Sequence, residues 1–397
     1  MAQKLGFLPR GIEGRMKGSP RIWIHAVSLG EVGAVHPLLR ELRRIYPEAC
    51  LMLSTGTESG QNMARERVPE ATGIFFFPLD FGWVVRRVIR RLRPDLFILA
   101  ETELWPNFLR AVKEEGARCL LVNGRISDRS YERYRKARFF FTGVLDHFDA
   151  LSMIRVQDGE RIIAMGANPV RVFVNGNCKF DQAAILADPS LREEMKRLVE
   201  IGEEDRVFVA GSTHEGEEEV ILRTYLRLRE SFPDLILLLA PRHVERCARV
   251  EKLVGQYLSQ GCVRRSRLEG RGRKGAPVVL WDTFGELFKV YSVATLVFCG
   301  GSLVDKRGQN VLEPAAWGKV VLYGPSMEDF LDAHGLLSAA GAGIMVRDEE
   351  ELRERSLYLL NHPRENEARG EAGKEALLAQ RGATSRNLEL VRKLLPR

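Results

Sequence analysis

Glu31 is the first residue in the chain whose position points to chemistry. It closes the stretch Ser28-Leu29-Gly30-Glu31, after the apolar, β-prone segment 21–27, and apolar residues at helical spacing follow it as far as Ile45. Glu31 is therefore expected where the carboxyl end of a strand turns into a helix, which is where open α/β sheets bind ligands. The positive end of the helix dipole favours an ionised carboxylate there, so Glu31 could act as a general base. The Ser-x-x-Glu spacing is also that of a capping box, in which the glutamate only secures the helix start, and the spacing alone leaves both roles open.

Residues suited to binding phosphate follow expected strands in the second half of the chain. Arg242 comes after a strand expected at 235–240, and its guanidinium could hold a phosphate through two hydrogen bonds or lie in a surface ion pair. Gly300-Gly301-Ser302 would let the backbone approach a ligand closely. Asn310 to Glu313, followed by Pro314, predict a helix start, and helix starts bind phosphate. A carboxylate at this place could also bind the hydroxyl groups of a ribose.

Strands that end in small polar loops and lead into helices recur along the chain, and this order predicts parallel sheets covered by helices. In the first half, strands are expected at 21–27, 50–54, 73–77, 95–100, 117–122, and near 149–153 and 170–174. In the second half, they are expected at 206–211, 235–240, 278–281, 294–298 and 320–323. A basic, glycine-rich stretch at 264–276 is expected to be a solvated surface turn.

The break at Asn175-Gly176-Asn177 separates the two series of strands. We therefore predict two α/β domains, residues 1–178 and residues 179–397, and the last helix could cross back to the first domain. The carboxyl ends of both sheets would line a cleft, which is a natural place to hold two substrates together.

Composition narrows the class of protein. The chain has 397 residues, of which 45% are hydrophobic, enough for two full-sized cores. Its six cysteines are scattered without a C-x-x-C pair, which argues against a zinc site or a disulfide framework and for a reducing compartment. The net charge of +7 suits phosphorylated partners or an anionic membrane surface. Because no nucleic-acid-binding motif is present, we expect no nucleic-acid partner.

Several familiar signatures are missing from the sequence. Neither G-x-x-x-x-G-K-[ST] nor a G-x-G-x-x-G after the first strand occurs, which argues against a P-loop nucleotidase and a dinucleotide enzyme. No spacing of histidines or carboxylates suits a metal, and we expect neither a metal nor another cofactor. His25, His214 and His243 are expected to form hydrogen bonds or to pack. No apolar run is long enough for a transmembrane helix, and no signal-peptide core is found in the first twenty residues.

Nine short stretches, taken in this order, resemble the motifs of one enzyme family, the 3-deoxy-D-manno-oct-2-ulosonic acid (Kdo) transferases of lipopolysaccharide assembly. Any one stretch is weakly specific, but nine in register through almost the whole chain are strongly specific. They are WIHAVSLGEV (23–32), ETELWPN (101–107), NGRIS (123–127), GNCKFD (176–181), GSTHE (211–215), PRH (241–243), DTFGEL (282–287), GGSLV (300–304) and NVLEP (310–314).

The resemblance implies a GT-B glycosyltransferase, an α/β fold of two Rossmann-like domains whose parallel sheets face a central cleft. It implies that the N-terminal domain takes a lipid A precursor (lipid IVA), that the C-terminal domain takes the donor CMP-Kdo, and that the transfer inverts the anomeric carbon without a metal or another cofactor. Carried onto this sequence, Glu31 becomes the catalytic base, and Glu101 and Lys179 become groups that stabilise the transition state. The positions that would contact CMP are Pro241, Arg242, Phe284, Gly285, Glu286, Asn310, Val311, Leu312 and Glu313.

Many members of this family begin with a membrane-spanning anchor, and no such segment is expected here. The resemblance therefore predicts a peripheral protein at the cytoplasmic face of the inner membrane. A basic amphipathic helix expected at 83–93 would bury its apolar stripe in the core and turn its arginines either to lipid or only to water.

Two other functions stay open on the sequence alone. One is a GT-B enzyme that uses a UDP-sugar, either a glycosyltransferase or an epimerase. The other is a non-catalytic protein on the same fold that binds lipid A or a membrane.

Overall fold

The computed structural model describes residues 2–9, 11–181, 187–259 and 261–395. The chain forms two compact units: the first contains Met1–Gln182 and Gln380–Arg397, and the second contains Ala183–Ala379. The boundary falls after Gln182 and not after residue 178, so Lys179 belongs to the first unit. Each unit is an α/β domain built on a seven-stranded sheet.

The sheet of the first unit is parallel throughout. Its strands are β1 Arg21–His25, β2 Cys50–Thr55, β3 Gly73–Phe76, β4 Leu96–Ala100, β5 Arg118–Gly124, β6 Ala150–Met153 and β7 Val172–Val174. Their order in space is β3-β2-β1-β4-β5-β6-β7, and every neighbouring pair is parallel. The direction of the winding reverses between β1 and β4, and this reversal opens a crevice at the carboxyl ends of those two strands.

Helices cover both faces of this sheet. They are Ile12–Arg15, Leu29–Ile45, Glu58–Arg67, Gly82–Leu92, Pro106–Glu114, Asp128–Lys136, Arg138–Leu145, Val156–Ala164 and, from the end of the chain, Ala383–Leu394, with 3-10 turns at Ala2–Leu5 and Pro169–Arg171. Alternate side chains of β1 explain the two layers. Trp23 packs edge-on against Phe97 and Phe108 on one face, whereas Ile22 and Ile24 join the core beneath helix Leu29–Ile45 on the other.

The second unit repeats the plan. Its strands are β8 Val207–Thr213, β9 Ile236–Pro241, β10 Val263–Arg264, β11 Val278–Leu280, β12 Leu296–Cys299, β13 Val321–Tyr323 and β14 Gly343–Met345. Their order is β10-β11-β9-β8-β12-β13-β14, again parallel throughout, and the winding reverses between β8 and β12. Its helices are Pro189–Val199, Glu217–Ser231, Cys247–Tyr257, Leu287–Tyr291, Leu312–Ala316, Leu331–Ala339, Glu349–Asn361 and Pro363–Ala379, with 3-10 turns at Val244–Arg246 and Arg265–Arg267.

The prediction of a solvated turn at 264–276 is wrong for two residues, Arg265 and Leu268, and Leu268 is only 2% exposed. Arg265 is only 8% exposed, because its guanidinium donates to both carboxylate oxygens of Glu286, from Nε at 3.1 Å and from Nη2 at 2.9 Å. The sequence prediction also missed β10 and β14, two short strands at the edges of the second sheet.

The basic helix is present as Gly82–Leu92. Its apolar stripe is buried and its arginines are exposed, which confirms the predicted division of the two faces. Among the residues described, none of the helices is both long enough and apolar enough to cross a membrane.

Candidate active site

The reversal point of the first sheet brings two acidic residues to one place. β1 and β4 are neighbours, with His25 opposite Leu99. Glu31 lies in the first turn of the helix that follows β1, and Glu101 comes directly after the last residue of β4. The two carboxyl groups are close enough for the charge of Glu101 to act on the pKa of Glu31. The structure thus joins two residues that are 70 positions apart in sequence motifs 23–32 and 101–107.

Glu31 forms the capping contacts that its spacing predicts. Its carboxylate accepts hydrogen bonds from the backbone N–H of Val27 at 2.8 Å and from the hydroxyl of Ser28 at 2.9 Å. The Ser28 oxygen in turn accepts the backbone N–H of Glu31 at 3.4 Å. These bonds fix the carboxylate in orientation without using all of its lone pairs, since each carboxylate oxygen can accept more than one hydrogen bond.

Nevertheless, the surroundings of Glu31 give its carboxyl group an unusually high pKa. Glu31 is only 8% exposed. Burial raises its pKa to about 7, and the negative charges of Glu101 and Glu103 act in the same direction, while the hydrogen bonds from Val27 and Ser28 oppose the rise. A carboxyl group with this pKa is a stronger base than an ordinary carboxylate, and about half of it is ionised near neutral pH. Capping and basicity therefore coexist in one residue.

Glu101 is held in a strained conformation beside a lysine. Its φ is +58°, which is unfavourable for a residue with a Cβ, and its backbone N–H is bonded to the carbonyl of Val122 at 2.9 Å. Such conformations persist only where the surrounding structure holds them, and they are concentrated at functional sites. The Glu101 carboxylate accepts a hydrogen bond from Lys179 Nζ at 2.9 Å, and both side chains are partly exposed. Glu31, Glu101 and Lys179 are thus gathered in one site.

Glu103 was not among the predicted site residues. Burial raises its pKa, and the charge of Glu101 adds to the effect. Glu103 follows Glu101 by two positions in the loop after β4. The two glutamates of Glu101-Thr102-Glu103 were therefore the sequence feature from which a role for Glu103 could have been predicted. Its charge contributes to the high pKa of Glu31.

His25 is a buried structural residue, as predicted. Its Nδ1 lies 3.0 Å from both the carbonyl and the hydroxyl oxygen of Ser54, and its ring stacks on Phe77 at a centroid distance of 3.8 Å. Burial lowers its pKa to about 3, so the ring is neutral at physiological pH.

In the second unit, Arg242 lies at the carboxyl edge of the sheet. It follows β9, and its backbone N–H donates to the carbonyl of Thr213 at the end of β8. Within the described residues its guanidinium forms neither a hydrogen bond nor an ion pair. The surface ion pair that was its alternative role is therefore not formed with any of these residues.

Arg242 belongs to a basic cluster, which we define as Arg242, His214, His243 and Lys306. The rings of His214 and His243 are 5.7 Å apart. The pKa of His214 is lowered to about 4, mainly by burial and also by the positive charges of His243, Arg242, Lys306 and Arg246. Arg246 is compensated by the buried carboxylate of Glu218 at 2.6 Å. The remaining excess of positive charge favours an anion beside Arg242.

The glycine loop after β12 is held by hydrogen bonds to a buried glutamate. Glu217, which is fully buried, accepts backbone N–H bonds from His214 at 2.8 Å, Gly301 at 2.7 Å, Ser302 at 3.0 Å and Leu303 at 2.9 Å. A Cβ on Gly300 would lie 2.6 Å from the carbonyl oxygen of Ser212. The close approach predicted for Gly300-Gly301-Ser302 is therefore made to the protein's own chain, which sequence spacing could not distinguish from an approach to a ligand.

The other predicted CMP positions lie in three places: at Pro241, at 284–286 and at 310–313. Glu286 precedes helix Leu287–Tyr291; burial opposes its ionisation, but hydrogen bonds from Arg265 and Thr283 outweigh burial and hold its pKa below the usual range. Phe284 beside it is 52% exposed, and Gly285 has a φ of +82°. Pro241, the last residue of β9, is buried.

Asn310 to Glu313 form a local turn at the start of the five-residue helix Leu312–Ala316. The Asn310 side chain accepts the N–H of Leu312 and donates to Glu313, each at 3.2 Å. Val311 and Leu312 are buried, at 0% and 2% exposure, so any contact they make with a ligand would use the backbone. The assignment of these nine positions to CMP stays a prediction.

Metal binding is not supported by the side chains around these sites. No group of three or more histidine, cysteine, aspartate or glutamate side chains among the described residues is arranged to hold a metal ion.

Known proteins resemble this chain in sequence and in fold. A family model described as "3-Deoxy-D-manno-octulosonic-acid transferase (kdotransferase)" matches residues 1–182. The 3-deoxy-D-manno-octulosonic acid transferase of Haemophilus influenzae is 33% identical over 381 residues, which cover 95% of this chain and 87% of that protein. The chain belongs to the Kdo transferase family. The protein of the same name from Rickettsia felis is 32% identical over 350 residues, covering 86% of this chain and 71% of that protein. The resemblance carried by the nine motifs is confirmed, and this Kdo transferase is a glycosyltransferase.

Solved structures agree with the fold of this Kdo transferase. A UDP-GlcNAc 2-epimerase from Neisseria meningitidis has a TM-score of 0.66 and 13% identity, over 94% of this chain and 100% of that one. A glycosyltransferase from Rickettsia africae ESF-5 has a TM-score of 0.60 and 12% identity, over 95% of this chain and 99% of that one. At these identities the likeness concerns the fold alone, and it confirms the predicted α/β architecture of two parallel-sheet domains of the GT-B class.

Proposed function

We propose that this Kdo transferase moves Kdo from CMP-Kdo to a lipid A precursor, lipid IVA, with inversion at the anomeric carbon, in lipopolysaccharide assembly. The observation that carries the proposal is the Glu31 carboxyl, with a pKa of about 7, beside the ion pair of Glu101 and Lys179. A base of this strength suits the deprotonation of a sugar hydroxyl during attack at neutral pH.

Glu31 acts as the general base in this proposal. Its carboxylate takes the proton of the acceptor hydroxyl while the hydroxyl oxygen forms a bond to the anomeric carbon of Kdo. The bond from that carbon to the phosphate oxygen of CMP breaks in the same step, and the electron pair leaves with the phosphate. Attack from the side opposite to the leaving group gives the inverted configuration.

Lys179 and Glu101 shape the charge around this step. The ammonium group of Lys179 offers positive charge to the acceptor oxygen as that oxygen loses its proton. Glu101 accepts a hydrogen bond from Lys179 and so holds the ammonium in place, and its own charge raises the pKa of Glu31. Each of the three residues thus has a distinct part in the same proton transfer.

The basic cluster of the second unit supports CMP as the leaving group. A departing phosphate monoester gains negative charge, which cations can receive without a metal. Arg242 supplies a guanidinium with no acidic partner among the described residues, and Lys306 adds to the positive field that lowers the pKa of His214. Arg242 is therefore the residue most suited to the phosphate of CMP.

The acceptor is a lipid, so we propose that the protein docks on the cytoplasmic face of the inner membrane. The amino-terminal end of helix Gly82–Leu92 carries an aromatic-basic patch, defined as Phe7, Phe81, Trp83 and Arg87. Its three aromatic side chains are 48%, 55% and 62% exposed, in that order, and the Arg87 guanidinium lies 4.5 Å from the centre of the Phe7 ring. Exposed aromatic rings beside arginine are suited to the interface of an anionic bilayer.

Part of the arginine row is compensated within the protein. Arg86 pairs with Glu114 at 3.7 Å and Arg90 with Glu115 at 2.8 Å. The aromatic-basic patch is therefore a better docking surface than the whole basic face of the helix.

Kdo transfer is tested by incubating the protein with CMP-Kdo and lipid IVA and recording a mass spectrum. We expect an increase equal to one or more Kdo residues, and no increase with Glu31→Gln under the same conditions. Nuclear magnetic resonance of the product then gives the anomeric configuration. Unmodified lipid IVA in a reaction where thermal shift shows that the donor is bound would contradict the proposed acceptor. Stabilisation by UDP but not by CMP would instead favour the UDP-sugar alternative.

A further inference from the structure

The loop that carries Lys179 is held by residues from the other end of the chain. We define the lysine segment as residues 175–181. Helix Ala383–Leu394 lies in the same compact unit, and Leu388, Leu390 and Val391 pack in the core with Ile22 and Ile24 of β1. The end of the chain is therefore part of the domain that contains Glu31, Glu101 and Lys179.

Asp181 binds the start of this last helix. It is only 5% exposed, and its carboxylate accepts the backbone N–H of Gly382 at 2.7 Å and of Thr384 at 2.6 Å. The cap residue of this helix is Gly382, which has no side chain that could accept these hydrogen bonds. The carboxylate thus satisfies amides at the positive end of the helix and fixes the carboxyl end of the lysine segment to it.

Asn387 and Arg386 hold the middle and the beginning of the lysine segment. Asn387 is fully buried; it donates to Cys178 Sγ at 3.3 Å and accepts from the side chain of Asn175 at 3.4 Å. The Arg386 guanidinium donates to the carbonyl of Asn175 at 2.9 Å. The residue just before Lys179 is therefore in direct contact with the C-terminal helix.

Asn123 holds the opposite side of the same segment. It lies near the end of β5 with a φ of +55° and is 1% exposed. Its Oδ1 accepts the N–H of Cys178 at 2.9 Å, and its Nδ2 donates to Asn177 at 3.4 Å, whose oxygen accepts the N–H of Lys179 at 3.0 Å. Because β5 is the neighbour of β4, these bonds set the backbone of Lys179 relative to the strand that carries Glu101.

We propose that Asp181 and Asn387 are positioning residues for the transfer reaction, since they clamp the lysine segment to the C-terminal helix and so keep Lys179 against Glu101. This inference rests on the role proposed above for Lys179 and extends it to residues that touch no reacting atom. A lysine side chain has four rotatable bonds, so its ammonium stays in place only if its backbone is fixed. Displacements of about 1 Å in a catalytic group cost up to roughly 100-fold in rate.

A positioning role has a signature that a purely structural role lacks. The charged groups that act on Glu31 are Glu101 and Glu103, while Val27 and Ser28 donate hydrogen bonds to it. Lys179 pairs with Glu101, and an ammonium beside a carboxylate offsets part of the charge that other neighbours of the carboxylate experience. If the lysine segment loosens, the charge of Glu101 acts on Glu31 without compensation, and Glu31 keeps its proton to higher pH. The acid limb of the pH–rate profile, where the rate rises as the base loses its proton, then moves to higher pH.

The experiment uses the full chain with Asn387→Ala and, as an isosteric second variant that avoids a cavity, Asp181→Asn. The matched control is Glu389→Gln, an exposed position on the same helix. We expect kcat to fall about 10- to 100-fold in both variants, with the KM for CMP-Kdo within about two-fold of the original, and the acid limb to rise by a fraction of a pH unit. The control should change none of these quantities.

Two results would overturn the inference. One is an unchanged kcat in a folded Asp181→Asn variant. The other is a lower kcat with the acid limb where it was, which would mean that the contacts only stabilise the domain. Lys179→Ala, measured alongside, separates this inference from the proposed function: if that variant keeps full turnover, the role of Lys179 fails first.

Discussion

Lys179 Nζ lies 2.9 Å from Glu101 Oε1, although 78 positions separate the two residues in the chain. This ion pair links the end of β4 to the lysine segment, and Glu101 is in turn one of the charges that raise the pKa of Glu31. Because Glu101 contacts Lys179 and also acts on the pKa of Glu31, we expect a change at Lys179 to reach Glu31 through Glu101.

Replacement of Lys179 should disturb both rate and acidity. Lys179→Met removes the charge that offsets Glu101, so we expect kcat to fall by about 100-fold or more and the acid limb of the pH–rate profile to move to higher pH. Lys374→Met is the matched control, because Lys374 also pairs with a glutamate, Glu371 at 3.0 Å, in the second unit. Equal profiles for the Lys179 variant and the original protein would remove Lys179 from the site.

The buried carboxyl of Glu31 should make the stability of the fold depend on pH. Because its pKa is about 7 in the folded protein, against an ordinary value of 4.5 for a glutamate in water, the folded state holds the proton more tightly than the unfolded state does. Stability contributed by this group is therefore present below about pH 4.5 and lost as the pH rises through about 7. A difference of about 2.5 pH units, at about 1.4 kcal/mol each, gives about 3.5 kcal/mol at most.

Glu31→Gln cannot ionise and should not show this loss. The free energy of unfolding of the variant, minus that of the original protein, should increase between about pH 4.5 and 7 and then level off. Lost hydrogen bonds add a constant to this difference in unfolding free energy, and that constant does not depend on pH. The quantity to measure is therefore how much the difference changes between about pH 4.5 and 7, by chemical denaturation at several pH values. A difference that stays flat across this window would show that Glu31 has an ordinary pKa.

Arg242 should contribute to binding and little to folding. Arg242→Ala removes a guanidinium that has no partner among the described residues, so the melting temperature should stay within about one degree. Loss of a charge-assisted bond to phosphate should weaken CMP about 10- to 100-fold by calorimetry. Arg249→Ala is the control, since Arg249 is exposed and pairs with Glu215 at 2.6 Å. Unchanged CMP affinity would place the phosphate elsewhere.

The aromatic-basic patch should decide membrane binding. Replacing Phe81 and Trp83 with Ser should weaken co-sedimentation with anionic liposomes at any salt concentration, and replacing Arg86, Arg87, Arg90 and Arg91 with Gln should weaken it mainly at low salt. CMP affinity should be unchanged in both. Phe139→Ser is the control, because Phe139 is 86% exposed on a different helix, Arg138–Leu145. If only the Phe139 variant loses liposome binding, the docking surface lies beside that helix.

Sequence patterns predicted most of the strands and the position of Glu31 because both depend on local information. The apolar run 21–27 and the helical spacing after Glu31 define β1 and its helix without reference to the rest of the chain. The basic helix was predictable for the same reason, since its buried stripe and exposed arginines alternate with the period of a helix. Short edge strands such as β10 have too few residues to show a period.

Contacts between distant segments could not be predicted from local patterns. The pairing of Arg265 with Glu286, the four amides around Glu217 and the clamp of Asn387 on Cys178 all depend on which strand ends become neighbours in the sheets. Before the strand order is known, a buried arginine in a basic stretch looks like a solvated one, and a glutamate at a helix start looks like an ordinary cap. The roles of Glu101 and Lys179 came only from the family resemblance, and the structure shows the contact between them.

The most direct test of the account is the pH dependence of single-turnover transfer from CMP-Kdo to lipid IVA, measured for the original protein and for Glu31→Gln. The original protein should show a rate that rises with pH through an apparent pKa of about 7 and is then constant. Glu31→Gln should lack this limb and be slower by roughly 10²–10⁴-fold, with CMP affinity preserved. A Glu31→Gln variant that keeps the same limb, or that transfers Kdo at the original rate, would contradict the assignment of Glu31 as the base.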